Sequence, residues 1–317
     1  MKKFATAIIL SAMATAMPAA AETPAYGLIS IPAASMRTEG RHAAEMSTQA
    51  VMGTPIEIID QNGEWYNART PEGYEAWIPV SSVAVKTADE MHRWRDNDNR
   101  YVVTDLWQTR AYTTPKASGP RDVVTDLVLG AIVCADPATV SDGRIEITLP
   151  DGRRGWADSS SLTPIADWAD QPFDAEKILS TAYSMEGTPY LWGGTSVKAI
   201  DCSGLVKVSY LNNGIILLRD ASQQARTGLR LEAEAWRDYQ PGDLMFFGNA
   251  STGKVTHVAI YDHNGRYVHS SGRVKRNSVD PESPDYLYSP LHSVRINGHE
   301  GTEGITRVIN HPWYFNL

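Results

Sequence analysis

Between about residues 28 and 86 apolar and polar positions alternate in short runs, "PIEIID", "EWYNART" and "GYEAWIPVSSVAV", separated by "QNG" and "PEG". A period of two bounded by turn residues predicts short strands. The plan then recurs in "DLWQTRAYTTP", "LVLGAIVCAD" and "RIEITLPDGRRGWADSSSLTPI". Two phrases carry the repeat most clearly, "TPEGYEAWIPVSSV" and "LPDGRRGWADSSSL". Each has a Gly turn, a strand with Trp, a Ser-rich bend and an apolar residue. A unit of roughly 80 residues is too long for a solenoid and suits tandem small β-barrels. The polar stretch "KTADEMHRWRDN" between them reads as a short helical or irregular connector.

From about Gln171 the texture changes. In "DAEKILSTAYSMEG" the apolar positions Ile178, Leu179, Ala182, Tyr183 and Met185 have helical spacing, with Asp174 as N-cap and Gly187 as stop. "CSGLVKVSYLNNG" predicts a second helix, capped by Asp201 and stopped at Asn213-Gly214. "DLMFFG", "THVAIYDH" and "RYVHSSG" then read as strands, so this part is expected to be α+β. The expected segments are 22–88, 89–168 and 169–317.

The ends and the composition narrow the function classes. Lys2 and Lys3, an apolar run from Phe4 to Met17 and Ala19-Ala20-Ala21 have the three parts of a secretory signal over residues 1–21. The run is too short and too alanine-rich for a membrane anchor. The expected product is exported, free of the membrane after signal removal, periplasmic and monomeric. Loss of the two lysines leaves 27 basic residues against 37 acidic ones, a net charge of about −10, which disfavours nucleic acid as a partner.

The chain has two cysteines, Cys134 and Cys202. They fall in different expected domains and are not expected to pair. Cys134 lies in an apolar strand pattern and reads as a small buried hydrophobe. Cys202 is placed in the first turn of its helix, where unsatisfied N–H groups and the helix dipole lower a thiol pKa. Asp201 opposes that effect, so a cationic partner is required.

"VTHVAIYDHNGRYVHSS" offers that partner. His257 alternates with Val258 and Ile260 and so projects from the face opposite them. The register decides the rest. A two-residue Asn-Gly hairpin would put His257 and His269 on opposite faces. A type I turn starting at Asp262, with a loop His263-Asn264-Gly265 and Gly265 left-handed, makes them diagonal neighbours on one face. The second arrangement, preferred here, gives nucleophile, base and orienting group. A metal site built on His257, His263 and His269 is disfavoured, because His263 falls in the turn and no carboxylate cluster accompanies it. No cofactor is expected.

At these residues a family resemblance appears. "GTPYLWGG", "DCSGLV", "PGDLMFF", "HVAIY" and "YVHSSG" occur in the order and approximate spacing of the NlpC-type cell-wall cysteine peptidases, a permuted papain-like fold. The two β segments resemble the bacterial SH3-like domains often fused to such enzymes. The fold class implied is multidomain: two small SH3-like β-barrels followed by an α+β papain-like catalytic domain.

The resemblance implies cleavage of peptidoglycan stem peptides between γ-D-glutamate and a diamino acid such as meso-diaminopimelate. It makes Cys202 the nucleophile, His257 the general base and His269 the orienting residue, with the N–H of Cys202 helping to hold the oxyanion. Tyr190 is an oxyanion donor or a substrate contact, or else packs as a plain aromatic. The chain is also similar to a subgroup of stem-peptide recycling enzymes that require a free N-terminal L-alanine. By that similarity Glu45 in "HAAEMSTQ" pairs with the substrate ammonium, with Tyr74, Asp201, Ser203 and Ser222 around it; the alternative for Glu45 is an ordinary solvated charge. The competing functions are a broader hydrolase or amidase of intact wall, and a non-catalytic wall-binding protein. The joint presence of Cys202, His257 and His269 speaks against the last.

Overall fold

The computed structural model describes residues 26–316, so the expected signal at 1–21 lies outside the described residues. The repeat seen in the pattern is a repeat of topology. Tyr26–Lys86 and Arg100–Pro164 each form a seven-stranded sheet, and the strands, numbered along each segment, join in the same order, 3-2-6-5-4-1-7. In the two shared phrases a strand (Glu75–Pro79; Arg154–Asp158) leads through a 3₁₀ turn (Val80–Ser82; Ser159–Ser161) into the last strand. Each sheet closes on its own apolar cluster, Ile29, Met36, Ile58 and Ile78 in the first, Val103, Leu127, Val133 and Ile147 in the second. The connector is helical over Ala88–Arg95. Thr87 and Glu90 form a capping box that satisfies two N–H groups at its start.

In the third segment a helix spans Ala175–Ser184, and the Asp174 side chain accepts from the Lys177 N–H at 3.0 Å. A six-stranded antiparallel sheet follows the second helix, in the order Leu229–Leu231, His292–Arg295, Leu244–Asn249, Lys254–Tyr261, Arg266–Ser271, Arg273–Ser278. Val258 and Ile260 on one face pack with Leu205 and Val206 of the second helix. Each such side chain contributes roughly 1.5–3 kcal/mol on burial. The other face, where His257 projects, is also covered. Ala259 and Tyr261 there join Phe247, Tyr267 and Val279 in a second core.

The hairpin between the histidines has the expected register but not the expected turn. Tyr261 pairs with Tyr267, and the N–H of Asp262 donates to the carbonyl of Arg266 at 2.8 Å. The tight bond lies one residue further on, from the N–H of Arg266 to the carbonyl of His263 at 2.9 Å. Asn264 (φ 54°) and Gly265 (φ 78°) between them are both left-handed. This is the Asn-Gly type I′ turn, with His263 as an extra residue outside it. The type I turn at Asp262 is therefore corrected, while the shared face of His257 and His269 stands.

The barrels are docked against the third segment. Ile132 N–H donates to the carbonyl of Met52 at 2.9 Å, joining barrel to barrel. Thr195 and Ser196 bond Gln49 of the first barrel, and Lys198 bonds Asp126 of the second at 2.8 Å. Lys207 and Glu72 form a buried ion pair between the first barrel and the nucleophile helix. Among the described residues no helix is long and apolar enough to cross a membrane.

Candidate active site

The nucleophile helix spans Cys202–Leu211, with Asp201 as N-cap, its Oδ1 accepting the Gly204 N–H at 2.7 Å. Gly204 is required by packing: a Cβ there would sit 2.1 Å from the carbonyl oxygen of Gly194. Gly193 is left-handed (φ 79°) and donates its N–H to Asp201 Oδ2 at 2.9 Å, which ties the "LWGG" loop to the helix start. The first intrahelical bond runs from Leu205 to Asp201, so the N–H groups of Cys202 and Ser203 stay outside the helical ladder.

Cys202 is 7% exposed. The backbones of Val258, the residue after His257, and of Ser203 at the helix start adjoin the thiol and favour its thiolate. Burial and the Asp201 carboxylate oppose them and push the thiol up to about 11. The expectation of a lowered thiol pKa is therefore corrected: at neutral pH the resting group is the thiol. Cys134 is also free, half-buried, and pushed up by burial; the two cysteines are not paired.

The imidazoles are held by a chain of hydrogen bonds. His257 Nε2 lies 2.7 Å from His269 Nδ1, and His269 Nε2 lies 2.9 Å from Asn277 Oδ1. The Asn277 amide donates through Nδ2 to the carbonyl of Asp285 at 3.0 Å, which fixes its oxygen towards His269. His269, fully buried, must then carry its proton on Nε2 and accept at Nδ1. That forces the His257 proton onto Nε2 and leaves Nδ1 as the lone pair. Nδ1 has no protein partner among the described residues. Burial, with smaller contributions from His269 and Lys275, depresses His257 to about 3. Burial and Lys275 take His269 to about 4, against the bond to Asn277. The base is thus neutral, in the tautomer that can accept a thiol proton.

Beside Cys202 lies a cavity of about 270 Å³. It brings together Glu45, Tyr74, Tyr190, Asp201, Ser203 and Ser222, all expected from the sequence, with Asp220 and Arg219. Thr38, Glu45, Ser47 and Tyr74 come from the first barrel, which therefore forms one wall. Glu45 has no cation partner among the described residues. Burial pushes Tyr190 up to about 12, so it stays an O–H donor beside Cys202.

Asp201 is the expected N-cap, lines the cavity as expected, and has in addition a buried cation partner. Arg219, 1% exposed, donates to both of its oxygens, at 3.2 and 2.5 Å, to Ser203 Oγ at 2.8 Å, and to Thr48 Oγ1 of the first barrel at 2.9 Å. With Gly193 and Gly204 also donating to it, Asp201 is occupied as a cap and as the counter-ion of Arg219. Ser203 is likewise engaged. The less encumbered carboxylates of the cavity are Glu45 and Asp220, and burial raises Asp220.

Sequence reasoning missed Arg219, Asp220 and Asn277. The first two had a signal, a charged pair ending the apolar run "GIILLRD". Asn277 sits in the polar strand "RVKRNS" and had none.

Two family models match the chain, that of the NlpC/P60 family over residues 187–295 and that of the bacterial dipeptidyl-peptidase SH3 domain over residues 36–83. Dipeptidyl-peptidase 6 of Lysinibacillus sphaericus is 31% identical over 256 residues, 77% of this chain and 88% of the relative. The chain belongs to the NlpC/P60 family. A γ-D-glutamyl-L-lysine dipeptidyl-peptidase of Bacillus cereus is 27% identical over 78% of this chain and 74% of its own length. The crystal structure of an NlpC/P60 family protein from Bacillus cereus shares the fold with a TM-score of 0.71 at 21% identity, covering 86% of this chain and 99% of that one. As a member of NlpC/P60 the protein is a cysteine peptidase, with barrels and catalytic domain in the predicted order.

Proposed function

We propose that this peptidoglycan-related NlpC/P60 peptidase hydrolyses the γ-D-glutamyl bond to an L-diamino acid in stem peptides with a free N-terminal L-alanine. The observation that carries the reading is the wall of the first barrel across the cavity beside Cys202, with Glu45, which has no cation partner among the described residues, on it. At about 270 Å³ the cavity lies below the usual range for ligand sites, roughly 300–1,000 Å³. It suits a short peptide end rather than a glycan strand. Glu45 and Asp220 supply the negative charge for an ammonium, with Tyr74 and Ser222 beside them. The alternative, hydrolysis of intact wall, requires a cleft open at both ends.

In the reaction His257 Nδ1 takes the thiol proton as sulfur attacks the γ-carbonyl carbon. The N–H of Cys202 holds the oxyanion, with the hydroxyl of Tyr190 as second donor or as a substrate contact. The imidazolium then protonates the leaving nitrogen, and the C–N bond breaks to leave a thioester on Cys202. Water, deprotonated by His257, releases the acid and restores the thiol. The relatives named for γ-D-glutamyl-L-lysine and dipeptidyl-peptidase activities support this bond choice. Residues 1–21 support export, with the periplasm as the proposed site of action.

The test uses L-Ala-γ-D-Glu-diaminopimelate and its N-acetylated form. Cleavage of the free peptide by the wild type and none by Cys202→Ala is expected. Undiminished cleavage by Cys202→Ala defeats the mechanism. Equal cleavage of the blocked peptide defeats the role of Glu45, and efficient digestion of intact sacculi favours the alternative.

A further inference from the structure

The register of the last three strands carries a second set of side chains onto the imidazole face. His269 pairs with Lys275, and Arg273 lies two residues before Lys275 on the outer strand. Antiparallel partners share a face, as do residues two apart in a strand. His257, His269 and Lys275 therefore form a row across three neighbouring strands, with Arg273 beside its end. The row leads away from the Cys202 cavity, which touches the sheet at Val255 and Thr256. The substrate's acyl side fills that cavity, so the leaving amino acid, whose nitrogen His257 protonates, lies over the other end of the row.

Neither Lys275 nor Arg273 forms an ion pair among the described residues, whereas the adjacent Arg276 bonds Glu186 at 3.1 Å. The hollow at this sheet edge is lined by Arg273, Lys275 and Asn277 from the imidazole face and by Arg266 and Arg276 from the other, against two carboxylates, Glu186 and Asp285. This is a local excess of positive charge in a chain with 37 acidic and 29 basic residues. Lys275 also depresses both imidazoles and so works against the imidazolium that the reaction forms. A bound anion would cancel that penalty at the moment of catalysis.

We propose that Lys275 and Arg273 form an anion-recognising subsite for a carboxylate of the amino acid released by cleavage. The proposal rests on the reaction assigned above. The carboxylate has two sources, the α-carboxylate of any released residue and the second carboxylate of a diaminopimelate-type residue, which lysine lacks.

The experiment measures kcat/KM on L-Ala-γ-D-Glu followed by meso-diaminopimelate or by L-lysine, each as the α-acid and the α-amide. Wild type is expected to prefer the carboxylate-bearing peptide about tenfold, the scale of one charge-assisted contact at a partly exposed site. Lys275→Met and Arg273→Gln bring the preference towards one, Lys275→Glu reverses it, and Lys275→Arg keeps it. An acid-over-amide preference shared by both residues assigns the α-carboxylate. A diaminopimelate-over-lysine preference that survives amidation assigns the second one. A preference unaltered in Lys275→Met, or equal losses on all four peptides, overturns the subsite. If the wild type cleaves none of the four, the assigned reaction itself has failed, and the subsite with it.

Discussion

Replacing Asn277 by alanine removes the acceptor that fixes the tautomers of both active-site imidazoles. His269 Nε2–H, fully buried and 2.9 Å from Asn277 Oδ1, is then left without a partner. A buried orphaned donor costs about 1–3 kcal/mol. His269 escapes that cost by moving its proton to Nδ1, which faces His257 Nε2 at 2.7 Å. Two N–H groups cannot face each other, so His257 must move its own proton to Nδ1, the nitrogen that has to accept from Cys202. The productive tautomer becomes a minority, and at about 1.4 kcal/mol per decade the penalty corresponds to a fall in kcat of roughly 5- to 150-fold. On a peptide whose leaving residue is an α-amide lacking a second carboxylate KM should change little, because Asn277 lies outside the cavity beside Cys202 and borders only the hollow around Lys275. The assay is steady-state hydrolysis of the tripeptide, with nitrogen-15 NMR of the imidazoles reporting the tautomers. Asn277→Asp gives a second readout: a carboxylate there raises both imidazole pKa values, so the acid limb of the pH–rate profile moves to higher pH. A kcat within twofold of wild type, or a loss carried by KM, refutes the reasoning.

Three more outcomes follow from the same geometry. His257 and His269 are depressed to about 3 and about 4, below the usual 6.5, so below pH 6.5 the unfolded chain binds protons that the folded one does not. Stability should therefore fall as pH drops from about 6.5 towards 4, by up to about 1.4 kcal/mol per pH unit for each histidine; urea midpoints that stay level over this range, after matched controls lacking both histidines, would count against it. Glu72→Gln leaves Lys207 buried without its anion and should cost about 3–5 kcal/mol in urea unfolding, while Glu72→Leu with Lys207→Met recovers most of it; equal losses in the single and double variants would show that the pair does not act as one. Gly204→Ala drives a methyl group into the Gly194 carbonyl and should abolish activity while lowering Tm by several degrees, read by calorimetry and peptide hydrolysis; normal kcat at normal Tm contradicts the packing argument.

How far the sequence could be read depended on whether a feature is local. The barrels were legible because a period of two and the paired "EGYEAW" and "GRRGWA" phrases are local signals, and local signals set strand and turn. The helix caps at Asp174 and Asp201 were legible for the same reason. The turn shows the limit. "DHNG" contains both a type I start and an Asn-Gly centre, and the choice falls to the register of the flanking strands, which the two packed cores on either face select. The correct histidine face was reached through the wrong turn, since an extra residue outside a type I′ turn gives the same register as a three-residue loop.

Asp201 shows a different limit, one of competition for a charge. Its place beside Cys202 made it a candidate for the substrate ammonium, and it does line the cavity, but nothing within "AIDCSGLV" pointed to the cation it already serves. The rival cation, Arg219, comes from 18 residues downstream and is fully buried between the catalytic domain and Thr48 of the first barrel. A buried guanidinium with five donors needs fixed acceptors, and Asp201, Ser203 and Thr48 supply them. The consequence for function is specific. Because Arg219 joins Asp201 to Thr48, the nucleophile's N-cap and the barrel wall that carries Glu45 are parts of one hydrogen-bonded unit. The barrel is thereby held at the distance from Cys202 that a short peptide end requires. Arg219→Lys, which keeps the charge but loses the fork, should then weaken selection for a free amine before it weakens the attack itself. The reading is checked by comparing the free and N-acetylated peptides: a loss of kcat equal on both would place Arg219 with the nucleophile alone.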